Sequence, residues 1–392
     1  MDIVIAALFV LIGILLSALT AEWLIHQRSL SRIPIRIHVN GTRGKSSVTR
    51  LITAGLRAEG YKVLGKTTGS SPRILDLLGK DRKIHRLTSA SIGEQVRFLR
   101  YFSKFRPEAV VLECMAVQPQ YQWVTEHRMV KSTHSVITNA RLDHVDEMGY
   151  CLEDITRSLS NTIPFNGQVF TAERDNLDIL QSIADKRHSK IFAATDADIT
   201  TEDMSGFNHI EHPENVALAL TVCDSLGIER EKALDAMRQA TPDPGALRVW
   251  TLENEGRRYT FINAFAANDP QSTGTIWKLI QSHAELQREH VCAFLNTRFD
   301  RISRTTQLLD LVQNKIEPHS LVIRGDRLER FERSHFRKMG KQVRTYPEST
   351  PPSRIIRELL SQPDDTLIFG MGNIVGSGFE LLDELRKYRV AA

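Results

Sequence analysis

The sequence predicts an α/β protein of two successive units, each a mostly parallel sheet covered by helices, behind one N-terminal helix apolar enough to cross a membrane. Three observations carry that reading. Short apolar, β-branched runs alternate with helix-period segments from residue 35 to the C-terminus. A proline- and glycine-rich break, TPDPGAL at 241–247, divides the alternation in two. An uncharged stretch runs from Ile3 to Thr20, long enough to span a hydrocarbon core.

Ala21 to Ile25 prolongs that stretch with only Glu22 interrupting, and Trp23 sits where an interfacial aromatic belongs. Arg28, Arg32 and Arg36 follow it, whereas only Met1 and Asp2 precede it, so the positive-inside rule places the long C-terminal part in the cytoplasm. No basic n-region and no clear small-x-small cleavage site mark it as a cleaved signal. Residues 1–26 therefore read as a single-pass cell-membrane anchor.

In the first unit, residues 27–243, the expected strands are Ile35 to Val39, Tyr61 to Leu64, Ala109 to Cys114, Ser135 to Asn139, Gln168 to Thr171 and Lys190 to Ala193. One helix begins at Ser46 or Ser47 and carries Val48, Leu51, Ile52 and Leu56 on one face until Gly60. Another covers Glu94 to Phe105 and is stopped by Pro107. In the second unit, residues 244–392, strands are expected at Tyr259 to Ala264, Val291 to Asn296, Leu321 to Gly325, Gln342 to Tyr346 and Thr366 to Gly370. Helices there would cover Gln271 to Leu286, Ile302 to Lys315, Arg327 to Met339, Pro352 to Leu360 and Gly378 to Tyr388, making a smaller, Rossmann-like unit.

Composition narrows the function classes. With 41% hydrophobic and 25% charged residues, the chain is neither disordered nor wholly membrane-embedded. The net charge of +4 is mild, and no lysine- or arginine-rich run interleaved with aromatics suggests a nucleic-acid groove. An anionic substrate or a membrane surface accounts for the excess equally well. Cys114, Cys151, Cys223 and Cys292 are scattered without a CxxC pair, which argues against a zinc cluster or a disulfide framework.

The segment IRIHVNGTRGKSS carries the chemistry. An alternating strand runs into Asn40-Gly41-Thr42-Arg43-Gly44-Lys45-Ser46-Ser47 and then opens a helix. Glycines let backbone N–H groups turn toward phosphates, and the helix N-terminus adds its positive end. Lys45 reaches the β- and γ-phosphates, and the Ser46 hydroxyl suits Mg²⁺. The spacing departs from GxxxxGK[ST], because Val39 stands where the first glycine would be. This is the expectation of a P-loop-type central ATPase sheet.

GTRGKSS resembles the GT-x-GK-[ST]-[ST] loop of the Mur ligases and folylpolyglutamate synthases, which use ATP to activate a carboxylate and join it to an amine. Other segments resemble the same family. Thr67 to Pro72 is similar to the substrate-side loop after the second strand, with Thr68, Ser70 and Ser71 as candidate substrate contacts. Glu113, ending AVVLE, matches the Mg²⁺-binding glutamate. Asn139, Asp143-His144, Asp146 and Gly149 match N-x-x-x-DH-x-D-x-x-G, in which the histidine binds a second Mg²⁺. HIEHPENVALA resembles the segment whose asparagine faces adenine, here Asn215, and Arg248 after Pro244-Gly245 corresponds to the arginine of the family's linker. The resemblance thus implies Lys45, Glu113 and His144 as catalytic residues and Ser46, Glu113 and His144 as metal ligands. The residues alone say less. Glu113 at the C-terminal edge of a parallel strand faces the ligand crevice, His144 in a turn more often caps or meets solvent than binds metal, and Asn215 reads as a helix-start residue.

Two features depart from the family. A lysine that becomes a carbamate and bridges two metals is expected about fifteen residues beyond the DH pair, and Leu159 occupies that distance. The short Pro-Gly-Arg linker is lengthened by Ala246 and Leu247. In the second unit, Arg298, Arg301 and Arg304 follow a strand and form either a docking site for a polyanionic acceptor, through bidentate carboxylate contacts, or a solvated helix start with surface ion pairs.

The anchor, the early phosphate loop and the missing lysine resemble the poly-γ-glutamate synthase branch. That resemblance implies ATP and Mg²⁺ as cofactors, and glutamate and an anionic poly-γ-glutamate chain as substrates. It further implies an acyl-phosphate intermediate, small membrane-protein partners of a synthesis and export complex, and a role in capsule or secreted polymer; a homo-oligomer is left open. A folylpolyglutamate-type ligase is the alternative within the family, and a membrane-linked P-loop kinase or a scaffold the alternative outside it. A kinase of that kind would carry a C-terminal tyrosine cluster where this chain has only Tyr388, and a switch GTPase would carry NKxD, which is absent.

Overall fold

The computed structural model describes residues 2–68, 72–86, 90–207, 209, 211–243, 248–265, 269–282, 286–298, 302–339, 342–373 and 377–390. They fall into two compact units, Met1–Asn208 with His212–Thr241, and His209–Glu211 with Pro242–Ala392.

The first unit begins with a single apolar helix, α1 (Asp2–Ser31), apolar enough over Val4–Ser31 to cross a membrane. It runs past residue 26 because its last turns are no longer apolar cargo for lipid but part of the folded unit. Residues 4–25 are exposed, whereas His26, Ser29 and Leu30 are buried. Leu30 and Ile33 join Leu99, Phe102, Val110, Leu112 and Val130 in one apolar cluster. The Arg100 guanidinium donates to the Glu22 carboxylate at 2.9 Å, giving the one acid of the apolar stretch a partner.

An eight-stranded sheet follows, made of β1 (Ile35–Asn40), β2 (Val63–Thr67), β3 (Arg73–Leu75), β4 (Asp81–Lys83), β5 (Ala109–Glu113), β6 (His134–Ile137), β7 (Gln168–Thr171) and β8 (Lys190–Ala193). Their order is β4-β3-β2-β5-β1-β6-β7-β8. β1 lies between β5 and β6, parallel to both, with Val39 opposite Glu113 on one side and Val136 on the other. A strand buried on both faces must satisfy both. Ile37 and Val39 enter the main apolar core with Leu51, Ile52, Val111, Val136 and Val216. On the other face His38 Nδ1 pairs with Glu126 at 2.7 Å, and Asn40 Nδ2 donates to Gln122 Oε1 at 2.9 Å, so each of these two buried side chains has a hydrogen-bond partner. α2 (Lys45–Ala58) follows β1 and packs on the helices Pro213–Ser225 and Arg230–Arg238.

The second unit has six strands: β9 (Arg248–Asn254), β10 (Arg257–Asn263), β11 (Val291–Asn296), β12 (Ser320–Arg324), β13 (Gln342–Tyr346) and β14 (Thr366–Gly372). The order is β13-β12-β11-β14-β10-β9, parallel apart from the hairpin of β9 and β10. One face packs Ile262, Trp277, Leu295 and Leu309; the other packs Trp250, Phe261, Phe294 and Ile356.

Differences from the sequence reading have local causes. β2 lies two residues beyond the expected start and includes Lys66, a fully buried cation that breaks the apolar pattern. β3 and β4 are three-residue strands, too short to carry a periodic signal. The helix after Gly93, α3 (Glu94–Ser103), ends before Phe105, and the chain turns through Arg106 at φ +47° into Pro107. The stretch expected as the helix Arg327 to Met339 is divided into a 3-10 turn Leu328–Phe331, a wide π turn Glu332–Phe336 and a last turn Arg337–Met339. The break expected at 241–247 gives way directly to β9, which the sequence reading missed.

Candidate active site

The loop between β1 and α2 is held against the segment that follows β6. Thr42 N and Oγ1 donate to the Asn139 carbonyl at 3.0 and 3.1 Å, and Thr42 Oγ1 also reaches Asn139 Oδ1 at 2.8 Å. Arg43 N donates to the same Oδ1 at 3.2 Å. Thr138 Oγ1 and Asn139 Nδ2 both donate back to the Arg43 carbonyl. Two glycines make this possible. Gly41 has φ +131° and approaches β6 so closely that an added Cβ would lie 2.9 Å from Thr138 N. Gly44, at φ +82°, caps α2 in the left-handed region against the Asn215 carboxamide. Asn215 itself is buried in the first turn of the helix Pro213–Ser225.

The first turn of α2 thereby presents Lys45, Ser46 and Ser47. Lys45 Nζ is folded back onto the Gly41 and Thr42 carbonyls at 2.6 and 3.2 Å. Burial pushes its ammonium below the ordinary lysine range, opposed by the Glu113 carboxylate. Ser46 Oγ donates to Glu113 Oε2 at 2.8 Å, and the same oxygen accepts from Thr68 N at 2.6 Å. The Gln95 side chain holds the Glu113 carbonyl at 3.0 Å. The start of α2 and the segment after β2 therefore converge on one carboxylate at the C-terminal edge of the sheet, and α3 fixes its backbone.

His144 follows Asp143, which pairs with Arg43 at 3.1 Å and accepts from His144 N. The residue sits at φ +50° with a side chain 42% exposed. Burial moves the imidazole below its ordinary value, against the pull of Asp143 and Glu147, so it is neutral near pH 7. One cavity of about 270 Å³ is lined by Asn40, Gly41, Thr42, Lys45, Thr68, Glu113 and His144. Leu159, at the position where the resemblance leads one to expect a lysine, also lines it and is buried.

Among the described residues no three His, Cys, Asp or Glu side chains cluster as a metal cage. What converges is a hydroxyl, one carboxylate and a neutral imidazole in reach of a phosphate cradle. That donor set fits Mg²⁺, which takes one or two protein ligands and fills its octahedron with water and phosphate oxygens.

The cavity brings in residues the sequence reading missed. Arg86 lines it, and its guanidinium is gripped by both oxygens of Glu94 at 2.9 and 3.0 Å. Behind Glu94 stands Lys66, at 3.3 Å from the carboxylate, 3.4 Å from Gln95 Oε1 and 5.0 Å from the Phe98 ring centroid. In sequence Lys66 only interrupts a strand, and Arg86 and Glu94 stand in a polar stretch without a pattern. Gln122 and Thr162, which tie Asn40 down, and Ser158, which accepts from Gln122, likewise left no signal.

Not every expected residue joins this cavity. Arg298 and Arg304 line a small separate cavity in the second unit with Asn296, Thr297 and Asn373. Arg248 opens β9. Ser70, Ser71 and Arg301 lie outside the described residues.

Comparison with known proteins agrees with this geometry. Residues 39–228 match the Mur ligase middle domain, and residues 249–388 match the poly-gamma-glutamate synthase CapB C-terminal domain. The capsule biosynthesis protein CapB of Bacillus anthracis is 34% identical over 93% of this chain and 79% of its own length. The PGA synthase CapB of Bacillus subtilis (strain 168) is 33% identical over 99% of this chain and 98% of its own. Among solved structures, the bifunctional folylpolyglutamate synthase/dihydrofolate synthase of Yersinia pestis with AMPPNP and Mn ion superposes with a TM-score of 0.69 at 16% identity, covering 93% of this chain and 92% of that one. E. coli FolC with DHPP and ADP gives 0.67 at 17%, covering 93% of each chain, and MurF of Acinetobacter baumannii gives 0.66 at 14%, covering 93% and 79%. Sequence and fold together show that this chain belongs to the CapB family of poly-γ-glutamate synthases, a branch of the Mur-ligase-type ATP-dependent amide ligases.

Proposed function

We propose that this chain polymerises glutamate at the cytoplasmic face of a membrane by activating a γ-carboxylate as an acyl phosphate. The observation that supports it most is one cavity lined by Gly41, Thr42 and Lys45 of the phosphate cradle, by His144 and Arg86, and by Glu113, to which Ser46 is hydrogen-bonded. The backbone N–H groups of Gly44, Lys45 and Ser46, with the Lys45 ammonium, would hold the β- and γ-phosphates of ATP, and Asn215, beside Gly44, would meet the base. To do so Lys45 exchanges two carbonyl oxygens for phosphate oxygens, a local rotation of its side chain. Arg86 keeps one face of its guanidinium on Glu94 and can offer the rest to a substrate carboxylate, and Thr68 borders the same space. Arg248, Arg298 and Arg304 would act from the second unit, as γ-phosphate and acceptor contacts.

In the first step a γ-carboxylate oxygen attacks the γ-phosphorus and ADP leaves. In the second the amino group of a glutamate attacks the carbonyl carbon, losing a proton as phosphate departs and the amide forms. Mg²⁺ held by Ser46, Glu113 and His144 would supply charge neutralisation on the phosphates. The protein contributes alignment and fixed positive charge, and these are the main sources of catalysis in such transfers. α1 would tether the enzyme and meet the small membrane-protein partners that the resemblance implies.

The test is ATP turnover by the purified full chain with Mg²⁺ and labelled glutamate. Glutamate-dependent ADP release with label in an acid-precipitable polymer is expected, lowered about 100-fold or more by Lys45→Ala. ATP hydrolysis indifferent to glutamate, or phosphate appearing on protein, would overturn the proposal.

A further inference from the structure

At the other end of the sheet from the phosphate loop lies a second cavity, of about 610 Å³, that the proposed reaction does not use. Its walls come from the segment after the helix Pro119–Val124, from the N-terminal ends of β1 and β6, and from the turn before β7. They carry Arg36, Arg128 and Lys131 beside Trp123 and Phe165. Arg128 lies over the Trp123 ring at 5.6 Å, and Phe165 is 57% exposed. The one carboxylate lining it is spent. Glu126 is 1% exposed and accepts from His38 at 2.7 Å and from Ser132 N and Oγ at 2.8 and 2.9 Å. Cations with apolar rings and no available counter-charge make a receptor for an anion that carries an apolar body.

The position of the cavity selects which anion. Residues 4–25 of α1 are exposed and extend roughly 33 Å at 1.5 Å per residue, the thickness of a hydrocarbon core. Lys131 Nζ donates to Gln27 Oε1 at 2.9 Å, and Arg36 Nη1 to the Leu30 and Ile33 carbonyls at 3.4 and 2.6 Å. Gln27 and Leu30 lie about 3 and 8 Å beyond Ile25 along the helix. The polar layer on each side of a bilayer is about 5–8 Å deep. Two of the cavity's cations, Arg36 and Lys131, are therefore fastened to the end of the helix, at the depth of the headgroups when α1 spans a bilayer.

We propose that this cavity binds the glycerophosphate headgroup of an anionic phospholipid, with Arg36, Arg128 and Lys131 on the phosphate and Trp123 and Phe165 against the glycerol and upper chain. The lipid would bind beside the seat of α1, fixing the catalytic unit on the membrane surface. This rests on α1 spanning the membrane.

The experiment uses the full chain in nanodiscs of phosphatidylcholine containing a photoactivatable phosphatidylglycerol, with the label mapped by peptide. Label is expected on the peptides around Trp123–Lys131 and Phe165. It should be competed by phosphatidylglycerol but not by phosphatidylcholine, and fall about tenfold in the Arg128→Gln/Lys131→Gln variant, whose ATP turnover is unchanged. Label spread along α1 alone, or unchanged in the variant, overturns the proposal. Displacement by inorganic phosphate as readily as by phosphatidylglycerol also overturns it, in favour of a soluble anion. A carbonate wash separates the two readings: a chain released from membranes refutes the span itself, whereas a retained chain without the label refutes only the lipid site.

Discussion

Glu94→Gln is the most informative single change, because Glu94 is the carboxylate between two cations. In the native chain its side chain is 9% exposed, Lys66 behind it is fully buried, and Arg86 in front is 23% exposed. Glutamine keeps the shape and removes the charge. Among the described residues, Lys66 is then left with Gln95 and the Phe98 ring and no ion-pair partner. Removing one member of a buried pair costs about 3–5 kcal/mol. Arg86 can still be hydrated from the cavity, so the lower end, about 3 kcal/mol, is expected at pH 7. Burial already holds Lys66 below the ordinary lysine range and Glu94 opposes that shift, so losing Glu94 depresses the value further. A lysine depressed in the folded state binds fewer protons folded than unfolded, so stability rises with pH up to the ordinary lysine value. The variant should recover up to about 1.4 kcal/mol per pH unit between pH 7 and 9 relative to the parent. Urea midpoints of the detergent-solubilised protein at the two pH values measure this. Kinetics on the same samples should show a raised Michaelis constant for the glutamyl acceptor and an unchanged one for ATP. Equal stability at pH 7, or a deficit that does not shrink at pH 9, would falsify the view that Lys66 is held by Glu94.

Three further perturbations test other parts. Gly41→Ala places a Cβ 2.9 Å from Thr138 N at φ +131°; backbone strain of about 1–3 kcal/mol plus displacement of the loop from β6 should lower the melting temperature and abolish nucleotide binding, both read by thermal shift with and without ADP. Glu113→Gln should weaken Mn²⁺ binding in the presence of ADP by about 10–100-fold in a magnetic-resonance titration, and an unchanged affinity removes Glu113 from the metal site. His134 is buried, and desolvation first, then Arg36, lower its value to about 4. The neutral form is therefore favoured in the fold: its contribution is complete above pH 6.5 and is lost as pH falls from 6.5 to about 4, up to about 3 kcal/mol. His134→Gln should flatten the stability curve in that window, and an equally steep curve shows that other groups carry the acid sensitivity.

The alternation of apolar runs and helices was legible because most strands of both sheets are parallel and covered, which forces continuous apolar strands such as AVVLE. The phosphate loop was legible for the same kind of reason, since a strand, a glycine pair and a helix start must be contiguous in sequence to be contiguous in space. Arg86, Glu94, Lys66 and Gln95 escaped because their meaning is their mutual distance, and a sequence contains no distances. β3 and β4 escaped because three residues are too few to show a period. The seat of α1 on the folded unit escaped because His26 and Ser29 resemble a solvated helix end until Met129 and the Leu30 cluster are seen beside them.

One short strand joins the apolar helix to the phosphate loop. β1 starts four residues after α1 ends, at Ile35, and delivers the chain to Gly41 in six residues, roughly 20 Å of extended backbone. It is stitched to β5 and β6 along its length, and nothing slack intervenes. Anchor and cradle are thus a single shaft with a fixed length and a fixed phase. Adding one residue to β1 would turn His38 and Asn40 into the apolar core and Ile37 and Val39 out of it, so the length of the shaft cannot be adjusted by small steps. With α1 spanning a bilayer as proposed, this strand would set the distance between the bilayer and the nucleotide loop at no less than its own length.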